Sequence, residues 1–164
     1  MKWLILASLA GAAWCITVLA LSLAVGGPLP ITALAMLASA APAAVIVGLG
    51  WLMTPDDGGY RTLHRFSPAS KRLALLFVAL AVLGLVTVLP TFGIGTPEQV
   101  GGEYVLVFKQ GVRKVVSESD YVAAVAAINR TGAGLALAGY AVSGLLLLVR
   151  MHYRAPTTRD MPRP

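Results

Sequence analysis

The stretch WLILASLAGAAWCITVLALSLAV, residues 3–25, decides the class of this protein because it holds 23 consecutive residues without a charge. A helix that crosses the hydrocarbon core of a bilayer needs about 20 mainly apolar residues. The uncharged run continues to Pro55, which is long enough for two such helices. Two further uncharged runs, Leu73–Pro97 and Thr131–Val149, suit one helix each. The pattern therefore predicts four membrane spans.

The composition agrees with this assignment. Of the 164 residues, 57% are apolar and 12% are charged, whereas an average soluble domain has about 25% charged residues. The net charge is +6, but the basic residues lie beside apolar runs and are not interleaved with aromatic residues, as a nucleic-acid surface requires. We therefore expect a lipid bilayer as a partner, with another membrane protein as a further candidate, and no nucleic acid.

The fold class that follows is an all-α membrane protein with a small extracytoplasmic insert, formed as one integral membrane domain over residues 1–164. A Gly/Pro cluster, residues 26–30, predicts the first turn, since glycine and proline both disfavour a continuing helix. The predicted spans are 3–25, 31–53, 73–92 and 132–149, joined by a loop at 54–72 and an insert at 98–131 and followed by a basic tail at 150–164.

The distribution of Lys and Arg predicts the orientation. With four spans, the N-terminus, the 54–72 loop and the tail share one side and hold nine of the 13 basic residues, and the insert holds the other four. An excess of basic residues marks the cytoplasmic side. We therefore expect a multi-pass protein of the plasma (inner) membrane with both termini in the cytoplasm and the insert facing outward.

The insert begins with a β pattern. Tyr104–Phe108 and Val112–Val116 are rich in aromatic and β-branched residues, which strands prefer. Three residues that include Gly111 separate them, and this spacing predicts a β-hairpin.

A helix is expected after the hairpin. Ser117 with Asp120 three residues later resembles a helix start, because such side chains bind free backbone N–H groups. Tyr121, Val125 and Ile128 then fall on one helical face. Gly132 and Gly134 predict a break before the fourth span.

The insert has two interpretations. An isolated hairpin is marginally stable in water, so the insert is either a structural cap over the helices or a docking module that offers a strand edge or apolar face to a partner. The candidate partner-binding residues are Tyr104, Val105, Val107, Arg113, Val115 and Tyr121.

Small residues recur at intervals of four in two predicted spans, where they let membrane helices approach closely. They are expected to serve internal packing or, alternatively, contact with another subunit. The positions are Ala40, Ala44, Gly48, Gly139 and Ser143. The single cysteine, Cys15, is expected to be a small buried apolar residue, the usual role of a free cysteine.

The sequence contains little that suggests chemistry. The predicted spans hold no Asp, Glu, Lys, Arg or His, and such residues usually mark proton and ion pathways in membranes. Asp56, Asp57 and His64 share the 54–72 loop, but a zinc site needs three or four ligands in recognisable spacing. We expect no catalytic residue, no cofactor and no metal.

The leading hypothesis is a non-enzymatic protein that acts by binding, as an accessory or assembly subunit or an envelope-associated factor. The alternative is a small membrane enzyme or transporter that uses the 54–72 loop.

Overall fold

The structure, a computed structural model, describes residues 2–25, 67–91, 93–109 and 111–152. Three helices in the described part are long and apolar enough to cross a membrane, as judged by length and composition. A small antiparallel sheet lies between the second and third of them. The elements are α1 (Lys2–Val25), α2 (Pro68–Val86), a 3-10 turn (Leu89–Thr91), β1 (Thr96–Val100), β2 (Glu103–Val107), β3 (Arg113–Val115) and α3 (Glu118–His152).

Serine side chains start the second and third helices. Ser67 precedes α2, its Oγ accepts a hydrogen bond from the Ser70 backbone N–H at 3.2 Å, and Pro68 occupies the first turn. Ser117 precedes α3 in the same way and accepts from the Asp120 N–H at 3.2 Å. Each serine therefore satisfies an N–H that the first helical turn leaves without a partner. The predicted start of the helix at Ser117 is confirmed.

Helix α3 is the central element. In the most apolar 18-residue stretch of α3, 61% is buried, whereas the corresponding stretches of α1 and α2 are 33% and 17% buried. Both α1 and α2 pack against α3. One cluster of buried apolar side chains joins α1 to α3, and the other joins both α1 and α2 to α3. Large apolar side chains of α1 and α2 remain exposed on the outside, including Trp3, Leu23 and Leu75. Such a surface is typical of lipid contact rather than of a soluble protein.

Glycines set the distance between the helices. A Cβ built on Gly11 of α1 would lie 2.6 Å from the Tyr140 ring of α3. A Cβ on Gly84 of α2 would overlap the Gly134 carbonyl and lie 2.8 Å from the Ala138 nitrogen, both of which are α3 backbone atoms. At Gly84 the α2 backbone therefore packs directly on the α3 backbone, and at Gly11 an α3 side chain packs directly on the α1 backbone, as small residues allow in membrane helices.

The same contacts give the directions of the helices. Along α1, Gly11 meets Tyr140, and further on Ser22 meets Arg130. Along α2, Phe77 meets Gly144, and Gly84 meets Gly134. Helices α1 and α2 therefore both run antiparallel to α3 and parallel to each other. The start of α1 and the end of α3 consequently lie at one end of the helical unit, and the sheet lies at the other.

The sheet has the order β1-β2-β3 with antiparallel pairing throughout. Gly101 and Gly102 form the two-residue loop between β1 and β2 and have φ values of 61° and 89°, which suits the turn type that such hairpins prefer. Gly111, with φ of 76°, lies in the loop between β2 and β3. The predicted hairpin is therefore confirmed as β2 and β3.

Strand β1 is an addition to the predicted hairpin. Its sequence, TPEQV, contains proline, glutamate and glutamine, which are not typical of strands. The signal that indicates it is the pair Gly101-Gly102 between Val100 and Glu103, since a Gly-Gly loop is a hairpin pattern.

The predicted break at Gly132 and Gly134 is wrong. Helix α3 continues without interruption from Glu118 to His152, so the amphipathic helix and the fourth predicted span are one element. Gly134 lies where α3 passes Gly84 and Thr87, and a Cβ there would overlap Thr87 Oγ1. This glycine therefore permits close packing of two helices and does not end one.

The other helix bounds differ modestly from those expected. The first predicted span coincides with α1, and Cys15 is free and buried as expected. The third was expected at 73–92, whereas α2 begins at Pro68 and ends at Val86. The predicted span 31–53, with Ala40, Ala44 and Gly48, lies outside the described residues. Of the other predicted packing residues, Gly139 is half-buried and Ser143 is buried, and the Ser143 hydroxyl donates to the Gly139 carbonyl at 2.7 Å.

Valine in place of Gly84 tests the contact between α2 and α3. Backbone atoms of α3 surround this position, so the new side chain forces the helices apart. Overpacking of this kind costs about 1–3 kcal/mol. Gly84→Val should therefore lower the thermal unfolding temperature in detergent. Ala79→Val is the matched control, because Ala79 is an exposed residue of the same helix. Equal unfolding temperatures for the two variants would contradict the packing described.

Candidate functional site

The three strands differ in how their side chains are covered. Val105 of β2 is 6% exposed, and it is the one buried residue within the described strands. Tyr104 stacks in a tilted arrangement on Tyr121 in the first turn of α3, with ring centroids 4.9 Å apart. This pair ties β2 to α3, because aromatic pairs at such distances attract beyond their buried area.

Within the described residues, strand β3 is an open edge of the sheet. The N–H of Val116 donates to the Tyr104 carbonyl and the N–H of Phe108 donates to the Val112 carbonyl, each at 2.9 Å. Backbone groups of an antiparallel strand alternate between the two sides. The N–H and C=O groups of Arg113 and Val115, which lie between these bonded positions, therefore point away from β2. They can accept a further strand.

Strand β1 is the opposite edge, and its backbone is less able to accept a strand. The Val100↔Glu103 pair closes the two-residue loop, so alternation directs the backbone groups of Pro97 and Gln99 outward. Proline has no N–H, and it is one of the residues by which proteins blunt sheet edges. The two edges of this sheet are therefore unequal, and β3 is the one open to pairing.

The β3 edge, defined as residues 112–115, is also basic and partly apolar. Lys109, Arg113 and Lys114 are all exposed, and no acidic residue occurs between Tyr104 and Ser117. Val112 and Val115 are 57% and 62% exposed. An extended segment that carries acidic and apolar side chains would complement this edge in backbone, charge and hydrophobicity.

The predicted partner-binding residues separate into two groups. Arg113 and Val115 are exposed on the β3 edge, and Val105 is in the interior. Tyr104, Val107 and Tyr121 are half-buried. The four covered residues therefore hold the sheet together and position the edge; they are Tyr104, Val105, Val107 and Tyr121.

Sequence reasoning missed a second feature, at the same end of the helices. Arg130 is half-buried on α3, and its Nε donates to the buried Ser22 Oγ of α1 at 3.2 Å. A groove of about 350 Å³ opens beside it between α1 and α2. The sequence signal for this feature is an arginine directly before an uncharged run. Because the sequence predicts a helix break after Arg130, it places this residue in the insert. We call this feature the Arg130 groove.

The alternative site is predicted on the 54–72 loop. Its residues, Asp56, Asp57 and His64, lie outside the described residues. Within the described ranges, no group of three or more His, Cys, Asp or Glu side chains is arranged to hold a metal ion.

No protein-family model, no curated protein and no solved structure matches this chain. The functional argument therefore depends on the residues themselves.

Glutamate at two valines of the sheet distinguishes its interior from its edge. Val105→Glu places a charge in the one buried strand position, whereas Val115→Glu places it on an exposed one. A buried unpaired charge is strongly unfavourable, but exposed substitutions usually change stability by less than about 0.5 kcal/mol. Hydrogen exchange of residues 96–116 should therefore accelerate in Val105→Glu and stay unchanged in Val115→Glu. Similar exchange in both variants would refute this assignment.

Proposed function

We propose that this protein is a non-enzymatic, multi-pass membrane protein that acts by binding, as an accessory or assembly subunit or an envelope-associated factor. Its docking site is the β3 edge, and the partner supplies an extended acidic segment that adds to the sheet as a fourth strand. The observation that carries the proposal is the inequality of the two sheet edges. Proline blunts β1, while β3 exposes backbone groups, two valines and three basic side chains nearby.

Strand addition uses main-chain hydrogen bonds for affinity and side chains for selection of the partner. Here Arg113 and Val115 supply the outward backbone groups, and the basic residues would select acidic partners and repel basic ones. Long, flat edges usually invite aggregation, and natural proteins keep edge strands short or charged. The three-residue, basic β3 satisfies that constraint and still allows a specific partner to pair.

Four membrane crossings are part of the proposal. Because α1 and α2 are parallel, Val25 and Pro68 lie at opposite ends of the helical unit, and the chain must return between them. The apolar run predicted at 31–53 is long enough for that crossing. In this arrangement the chain crosses the membrane four times, through α1, the returning segment, α2 and α3 in that order. The first residue of α1 and the last residue of α3 then lie on the same side of the membrane.

The length of α3 supports an outward position for the sheet. Its 35 residues extend about 52 Å at 1.5 Å per residue, while the hydrocarbon core is about 30 Å thick. The turns from Glu118 to about Arg130 therefore lie beyond the core, where they carry the sheet. Nine basic residues on the opposite side, against four here, favour an extracytoplasmic sheet.

Proline at position 115 tests strand addition directly. Val115→Pro removes an N–H that points away from β2, so the pairing of β3 with β2 is retained. Loss of a main-chain hydrogen bond at the new strand pair should weaken partner association about tenfold. The measurement is quantitative mass spectrometry of proteins that co-purify in mild detergent at native expression.

The matched control is Gln99→Pro, which removes an outward N–H from the β1 edge. It should leave association unchanged, as should joint replacement of Asp56, Asp57 and His64 with Ala. Equal loss in Val115→Pro and Gln99→Pro would refute docking at β3. If the triple variant instead loses the protein's phenotype in the cell, the alternative of a small membrane enzyme or transporter that uses the 54–72 loop would be favoured.

Cysteine labelling tests the orientation. Cys15 is buried, so a single added cysteine reports its own position. A membrane-impermeant thiol reagent added to intact cells should label Lys114→Cys, in the sheet, and should not label Lys71→Cys, near the start of α2, until the cells are lysed. The reverse pattern would place the sheet in the cytoplasm and would rule out an extracytoplasmic partner.

A further inference from the structure

The Arg130 groove is lined by apolar side chains and by one cationic side chain. Helices α1 and α2 form its walls and α3 contributes Arg130. Its volume of about 350 Å³ falls within the range of small-molecule and cofactor sites, about 300–1,000 Å³. The residues that define it are Leu19, Ala20 and Leu23 on α1, Leu83 on α2, Pro90 in the 3-10 turn, and Arg130 on α3.

Most of the hydrogen-bonding capacity of Arg130 is unused within the described residues. A guanidinium has five N–H donors and no acceptor. One donor, at Nε, binds Ser22 Oγ, which is a neutral group. The other four donors remain on a half-buried side chain beside an apolar groove, where an anion can reach them.

No carboxylate in the described part of the chain serves this role. Four of its seven acidic residues are in the described part, and none of them forms an ion pair with Arg130. The other three, Asp56, Asp57 and Asp160, fall in the loop and tail that sequence predicts on the opposite side of the membrane. The apolar run 31–53 contains no acid at all. An anion of the surrounding leaflet can therefore serve as the counter-ion of Arg130.

We propose that the Arg130 groove binds an anionic phospholipid from the surrounding leaflet. The phosphate accepts hydrogen bonds from the free N–H groups of Arg130, since guanidinium and phosphate match in geometry and charge. An acyl chain lies in the groove between α1 and α2, against Leu19, Leu23 and Leu83. This site is separate from the β3 edge, so either proposal stands if the other fails.

The test is native mass spectrometry of the full chain in mild detergent, titrated with phosphatidylglycerol or, in parallel, with zwitterionic phosphatidylcholine. The wild-type protein should retain one phosphatidylglycerol in preference to phosphatidylcholine. Arg130→Gln should weaken retention about tenfold or more, the loss expected for hydrogen bonds to a charged group. Arg72→Gln is the matched control, because Arg72 is exposed at the other end of the helical unit, and it should bind like wild type.

A second variant keeps the test decisive if Arg130→Gln does not fold. Ala20→Phe fills the groove and leaves the arginine in place, so it should also abolish retention of the lipid. Equal retention by wild type and Arg130→Gln, or by wild type and Ala20→Phe, would overturn the proposal. So would equal binding of the two lipids. Failure of wild type to bind either lipid would overturn it as well, and is the result expected if the chain's own residues 31–53 fill the groove.

Discussion

The structure depends on the close packing of α3 against its two neighbours at glycine residues. Apolar side chains cannot drive helices together inside a bilayer, because the lipid tails are as apolar as the side chains. Association there requires close packing, and Gly84 and Gly134 let the backbones of α2 and α3 meet directly. Aromatic rings complete the contacts, with Tyr140 over Gly11 and Phe77 over Gly144.

This packing determines where the polar parts of the protein lie. Two helices that run antiparallel to α3 place their carboxyl ends next to its first turns, and the sheet and Arg130 are found at that end. The continuity of α3 matters for the same reason. A single helix from Glu118 to His152 joins the apolar unit to the sheet without a hinge, and the Tyr104–Tyr121 pair fixes the sheet to it.

The two candidate binding features have different physical origins. The β3 edge exists because a three-stranded sheet has two outer strands, and proline blunts one of them. The Arg130 groove exists because α1 and α2 each contact α3 and leave space between them, into which a cation projects from α3. A protein partner suits the first, since it offers backbone groups in a row, and a lipid suits the second, since it offers an apolar wall and one charge.

The sequence by itself determined that the chain forms helices long and apolar enough to cross a membrane, the approximate bounds of the three that the structure describes, the hairpin and the serine that starts α3. Each of these is a local property, because uncharged length, alternation and capping residues act over a few neighbouring positions. The tertiary structure alone decided that Gly134 packs rather than breaks a helix, that Val105 lies inside while Val115 lies at an edge, and that Arg130 meets Ser22. These depend on which segments become neighbours in space. Glycine permits both a turn and a close contact, and a strand pattern does not distinguish an edge from an interior, so neither can be read from adjacent residues.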